Sequence, residues 1–325
     1  MKKSLIALAV LAASGAAMAQ SSVTLYGILD IGYADTNIAG QKFNQVSANH
    51  TPSRIGFRGT EDLGSGLKAN FNLETGDLGL ETGATNLVFN REAWVGLSGN
   101  FGATRFGRTS SIATKSYAAQ DLNGISAATS ALSNVGINPV TWYGSSRRSS
   151  QFQYHTNDFS GFSAGLGFTL KADPTGTTVA GNKNRTSLSL NYANGPLAAA
   201  FTAESAATNA AGARAAYALA GAYDFGVAKV NAGYVRSENS AVTQTGLGAN
   251  DQGGKGFHLG VVAPFGAAKV GAQYARNTTS KDAALELFAN YALSKRTTLY
   301  TDIARVNNKV GADVNKFGVG VLHAF

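Results

Sequence analysis

The chain has no cysteine, and after its first residues it has no apolar run near the ~20 residues a spanning helix needs. A protein that crosses an oxidising compartment avoids mispaired disulfides by carrying no thiols. If the chain enters a membrane, it does so as a closed barrel, because only helices and barrels satisfy their backbone groups in lipid. Proline is scarce (5) and glycine abundant (39 of 325), a balance that argues against a helical protein. No basic block exists. The formal charge is +8, and losing Lys2 and Lys3 with a leader leaves +6, scattered along the chain. Nucleic-acid binders gather their charge on one face or segment, so nucleic acid is not an expected partner.

Catalytic and metal chemistry are equally thin. His50, His155, His258 and His323 are spread over loop, strand ends and C-terminus. They form no cluster and no His-Glu-x-x-His pair for zinc. Gly253-Gly254-Lys255 lacks the upstream Gly and the following Ser or Thr of a phosphate loop. No enzyme activity and no cofactor are expected.

What is present is alternation. In Phe162–Leu170, Phe162, Ala164, Leu166, Phe168 and Leu170 fall on one side, with Ser163, Gly165, Gly167 and Thr169 on the other. The pattern returns at Leu67–Glu74, Leu188–Tyr192, Phe257–Ala263, Leu285–Tyr291 and Phe317–Phe325. Ala210–Tyr223 and Lys281–Leu293 also fit helices by propensity, but both keep the two-residue period and are read as strands. A strand with one face in lipid and one in water requires this pattern.

Connections alternate short and long. Short turns fall at 62–66, 98–101, 157–161, 193–196, 224–226, 264–266 and 293–295, rich in the Asn, Asp, Gly and Pro that tight turns use. Asp62 is read as bonding its own backbone at the first of them. Longer polar loops lie near 35–52, 76–88, 109–146, 172–184, 205–212, 237–255, 277–282 and 306–316. Together these predict about sixteen antiparallel strands in one transmembrane β-barrel, with short turns at the periplasmic end. Tyr154, Tyr192, Tyr223, Tyr291, Tyr234 and Tyr274 stand near strand ends on apolar faces, where interfacial girdles belong.

The N-terminus reads as a secretory leader. Lys2 and Lys3 precede the apolar Leu5–Ala13 and the small-x-small Ala17-Met18-Ala19, so residues 1–19 are expected to be removed and 20–325 to form the barrel.

Four segments carry a resemblance: Ser22–Gly27; Ser53–Ala69; Arg91–Leu97 running on to Phe106-Gly107-Arg108; and the closing strand ending in Phe325. With these the chain resembles the general porins of Gram-negative outer membranes, in their beta-proteobacterial branch. The resemblance implies an all-β, sixteen-stranded homotrimer whose third long loop folds into the lumen and narrows it. It implies passage of small hydrophilic solutes and ions, a setting of outer-membrane lipid and lipopolysaccharide, and reading of Phe325 by the outer-membrane assembly machinery.

Selectivity needs charge at the narrowest point, where low-dielectric walls focus the field. Ile55 and Phe57 share one face, so Arg54 and Arg58 share the other and point into the lumen. By motif match the resemblance adds Arg91, Arg108 and Arg147 to a basic cluster, with Arg148 as a neighbour. The facing loop, 109–146, offers one acid, Asp121, beside Lys115. That deficit of acids predicts anion preference. A channel specific for carboxylates or other anions, and a secreted β-rich adhesin, are the alternatives. The Arg91–Leu97 segment has no clear phase, and the side taken by Trp94 is left open.

Overall fold

The computed structural model describes residues 22–76, 78–80, 83, 88–118, 121–124, 128–137, 146–171, 183–206, 215–238 and 253–325. Residues 1–19, expected as a leader, lie outside the described residues, as do parts of several loops and the side chain of Lys115.

Among the described residues seventeen strands follow in chain order: β1 (Ser22–Ile38), β2 (Gln41–Ser47), β3 (Arg54–Gly64), β4 (Leu67–Thr75), β5 (Glu92–Gly99), β6 (Gly102–Ser110), β7 (Arg147–His155), β8 (Phe162–Thr169) and β9 (Arg185–Asn194). After them come β10 (Leu197–Glu204), β11 (Ala216–Asp224), β12 (Lys229–Glu238), β13 (Gly253–Phe265), β14 (Ala268–Asn277), β15 (Ala283–Ala292), β16 (Thr297–Asn307) and β17 (Val314–Ala324). Among the described residues between β6 and β7 lie two short helices, α1 (Ile112–Ala118) and α2 (Ala131–Asn134).

Each strand from β3 to β17 pairs antiparallel with the next, and β1 closes the ring by pairing with β17. The other edge of β1 is covered by β3 along Ser22–Ile28 and by β2 along Gly32–Ile38. Thus β2 and β3 are two parts of one stave, interrupted at residues 48–53, and the barrel has sixteen staves. Closure removes every free strand edge, which lipid would not tolerate.

The stretch at 35–52, expected as a loop, is largely strand. β1 runs on to Ile38, Ala39 and Gly40 make a two-residue turn, and β2 returns. Both turn residues have positive φ (53° and 87°), the requirement of the hairpin turn that matches strand twist. Asn37 Oδ1 accepts from Gly40 N at 3.0 Å and fixes it. Ala216–Asp224 and Ala283–Ala292 are strands, as the two-residue period required.

The outward face is the apolar one. Phe162, Leu166, Phe168 and Leu170 are exposed, while Gly165, Gly167 and Thr169 are buried on the inner side. Exposed Leu, Val, Phe, Ile and Tyr side chains recur all round the ring, and Tyr223, Tyr234 and Tyr291 lie among them near strand ends. Short turns are held by their acids: Asp62 Oδ1 accepts from Gly64 N, Asp158 Oδ1 from Gly161 N and Asp224 Oδ1 from Gly226 N, at 2.8–2.9 Å.

The packed core sits inside the ring and is built with the loop between β6 and β7. Ala131, Leu132, Val135, Ile137 and Ala113 from that loop meet Ala216, Ala218 and Ala220 of β11, Val235 of β12, Ala275 of β14, Ala284 of β15 and Val306 of β16. Alanine on the inner wall leaves room for the loop's larger side chains. Likewise Ile112 covers Gly165 and Gly167, where a Cβ would come within 3.3 Å and 3.2 Å of its side chain.

Candidate functional site: a charged lumenal wall and an inturned loop

The strand register orders the inner wall into rows. One row runs Thr24, Arg58, Asn72, Trp94, Gly107, Gln151, Thr169, Arg185 across β1 and β3–β9. The row above contains Tyr26, Gly56, Glu74 and Glu92. Both are opposite in phase to the exposed Leu25 and Phe57, so they face the lumen. The side of Trp94 follows: it shares the lumenal phase with the buried Glu92, and its Nε1 donates to Glu92 Oε2 at 2.9 Å.

Arg54 and Arg58 stand on the lumenal face of β3, as the alternation required. Arg54 Nη1 donates to Thr51 Oγ1 at 3.1 Å and Pro52 O at 3.3 Å. Arg58 lies over the ring of Tyr26 at 5.1 Å, and the Tyr26 hydroxyl donates to Asn72 Oδ1 and Glu74 Oε2. Arg91 pairs with Glu74 at 2.5 Å. Arg147 Nη1 donates to Ser146 Oγ at 3.1 Å, and its guanidinium lies in the field of Arg91 and Arg54 as well as of Glu92 and Glu74. Arg54, Arg91 and Arg147 are therefore one electrostatic group.

Two further candidates are placed differently. Arg108 falls in the outward row Leu25, Phe57, Leu73, Ala93, Arg108, and its guanidinium is engaged by Asn90 O and Ser149 Oγ. Arg148 is buried in the wall and pairs with Glu204 at 2.6 Å, with Arg185 3.8 Å from the same carboxylate. Asp121 is in the inturned loop, where its Oδ1 accepts from Asn123 N at 3.0 Å and Gly124 N at 2.9 Å. Burial raises its proton affinity, against those two backbone donors.

Several lumenal residues were not singled out from the sequence. Arg105 lies over Trp94 at 4.9 Å. Glu92 accepts from Thr109 Oγ1, Ser110 N and Ser110 Oγ as well as Trp94. On the far wall Glu286 accepts from Asn123 Nδ2 at 2.8 Å and Ala131 N at 3.0 Å, and Asp302 Oδ1 accepts from Asn123 Nδ2 at 2.8 Å. These acids hold the loop to the wall. The signal for them was a charge on the inner phase of an otherwise apolar strand, as in Leu285-Glu286-Leu287.

Gly161-Phe162-Ser163-Ala164-Gly165 has the spacing of a nucleophile elbow. It opens strand β8, whereas an elbow requires a sharp strand-to-helix turn. Ser163 pairs with Asn191 in the ladder, and among the described residues no base is built beside it.

A closed barrel with an apolar outer surface, a charged lumen and a loop laid against the inner wall is the design of a diffusion channel. The Gram-negative porin family model matches residues 5–311. The chain belongs to that family. Outer membrane porin protein 32 of Delftia acidovorans is 36% identical, over 99% of this chain and 94% of that protein. An outer membrane porin protein of Bordetella pertussis is 32% identical, over the full length of both. Among solved structures, an anion-selective porin from Comamonas acidovorans superposes with a TM-score of 0.78 at 28% identity, covering 94% of this chain and all of that one. This porin is an outer-membrane channel and not an enzyme.

Proposed function

We propose that this porin forms a homotrimer whose pores pass small hydrophilic solutes with a preference for anions. The observation that carries the reading is the grouping of Arg54, Arg58, Arg91 and Arg147 on and beside one lumenal wall, while the inturned loop carries a single acid, Asp121. Guanidinium groups stay charged at any working pH. The wall acids Glu286 and Asp302 are engaged by loop donors, which spends part of their field on holding the loop. The solved anion-selective relative supports the same direction.

In this reading Arg54, Arg58, Arg91 and Arg147 set the field at the constriction. Arg148 buttresses the wall through Glu204, Arg108 ties β6 to Asn90 and to Ser149 of β7, and Asp121 shapes the loop. Residues 1–19 are a leader cleaved before Gln20, and 20–325 fold as the barrel. Phe325 serves as the signal read by the assembly machinery, and the outer belt meets membrane lipid and lipopolysaccharide.

The test is a planar bilayer under a salt gradient. A reversal potential of anionic sign is expected, moving toward cations in Arg54→Glu with Arg58→Glu. Cation preference in the unaltered protein would overturn the reading. Conductance lost in groups of three would report the trimer.

A further inference from the structure

The outer belt is not uniformly filled. Between β8 and β11 the outward row Phe162, Tyr192, Ala199, Gly221 lies beside the row Ala164, Leu190, Phe201, Leu219. Alanine and glycine in these positions leave a depression of about 380 Å³, within the ~300–1,000 Å³ of sites that seat small ligands. Ala164 and Ala199 form its floor. The mutually tilted rings of Phe162 and Tyr192, with centroids 4.5 Å apart, form one wall, with Phe201 and Leu219 opposite. Phe159 closes the end beside the short turn.

The occupant follows from position and charge. The groove opens on the lipid-facing side and runs from a short turn, the periplasmic end of such a barrel, toward mid-membrane. Its lining is almost wholly apolar. Water exclusion does not favour a tail here, because neighbouring lipid is as apolar as the groove. Retention must come from shape and from the headgroup. In the flanking turns 156–161 and 194–196 the one charged residue is Asp158. It repels an anionic headgroup and attracts an ammonium.

We propose that this groove seats an acyl chain of a zwitterionic, ammonium-bearing phospholipid of the periplasmic leaflet. Ala199 sets its depth and Asp158 its headgroup preference.

Native mass spectrometry of the full-length protein in mild detergent tests this. Palmitoyl-oleoyl phosphatidylethanolamine and the matching phosphatidylglycerol are added in separate arms. Retained phosphatidylethanolamine should exceed phosphatidylglycerol. Ala199→Trp, which fills the groove, should lower retention about tenfold, equivalent to ~1.4 kcal/mol. Ala272→Trp, on the lipid-facing side of β14 away from the groove, should not. Asp158→Asn should abolish the headgroup preference while a lipid is still held. If Ala199→Trp fails to fold, as judged by heat-modifiable migration, Ala164→Leu replaces it. Equal retention in the filled variant and the parent would overturn the site. Preference for phosphatidylglycerol, or for lipopolysaccharide added in a third arm, would overturn the proposed occupant.

Discussion

His50 Nδ1 stands 3.6 Å from Asp302 Oδ2, joining the inturned 48–53 segment to strand β16. The contact is one member of a knot. His50 N and Thr51 N donate to Asp30 Oδ2, and the Tyr300 hydroxyl donates to Asp30 Oδ1. The His50 ring packs on Tyr300 at 5.1 Å, and Asn49 O accepts from Ala128 N of the inturned loop. The segment that breaks the second stave therefore ties β1, β16 and the loop together.

Burial opposes protonation of His50, but Asp302, Asp30 and Glu286 outweigh it and raise its proton affinity above the ordinary value. A raised folded value stabilises the protein fully below the unfolded imidazole's pKa, about 6.5, and the gain is lost as pH rises through the folded value. His50→Gln should therefore lower stability at about pH 5.5 by an amount on the order of 1 kcal/mol. The gap between variant and parent should close in alkali. Denaturant unfolding at both pH values checks this; a gap that widens with pH would refute it.

Glu74 offsets part of the arginine group, pairing with Arg91 at 2.5 Å and accepting from Tyr26. Glu74→Gln keeps acceptor and shape but removes the negative charge. Reversal potential should move further toward anions than in Glu61→Gln, an exposed acid near the β3–β4 turn. An unchanged potential would mean that Glu74 lies outside the conducting field.

The staves were legible because each needs one greasy and one wet face, and Phe162–Leu170 shows both without help from its neighbours. Arg54 and Arg58 were legible for the same reason, flanking Ile55 and Phe57. Arg108 was not. Its outward phase depends on the register with Ala93, and a register shift between Gly107 and Thr109 separates it from the arrangement higher in the strand. Trp94 was unreadable because Ala93 and Gly96 give a weak apolar signal; its partner Glu92 settles the side. The hairpin at 35–47 looked like a loop because polar residues interrupt both faces, Asp35, Asn37, Lys42 and Asn44 on one and Thr36, Gln41 and Gln45 on the other. The loop's attachment to Glu286 and Asp302 joins residues more than 150 positions apart, which no local pattern encodes.

The inturned loop is held by apolar packing as well as by carboxylates. Leu132 is fully buried among the wall alanines. Leu132→Ala should cost roughly 2–5 kcal/mol of local stability, by lost burial plus the cavity left behind. Because the barrel ladder is untouched, the loss should appear first as loop mobility. Faster protease nicking near residues 128–137 and noisier single-channel current, with heat-modifiable migration retained, are the expected results.

The barrel seam depends on Gly27. Gly27 N donates to Phe325 O at 3.0 Å and Phe325 N donates to Gly27 O at 3.1 Å, so the last residue closes the ring. A Cβ on Gly27 would lie 2.4 Å from Phe325 Cζ and 2.6 Å from Arg54 O. The aromatic ring has some freedom to swing away, but the Arg54 carbonyl is backbone in the adjoining stave. Gly27→Val should therefore weaken closure, seen as loss of heat-modifiable migration after refolding into detergent. Phe325→Ala keeps the main-chain pair and should refold in detergent with a smaller penalty. If Phe325 is also the assembly signal, the same variant should fail in cells although it closes in vitro. Normal insertion in cells would leave Phe325 with its seam role alone.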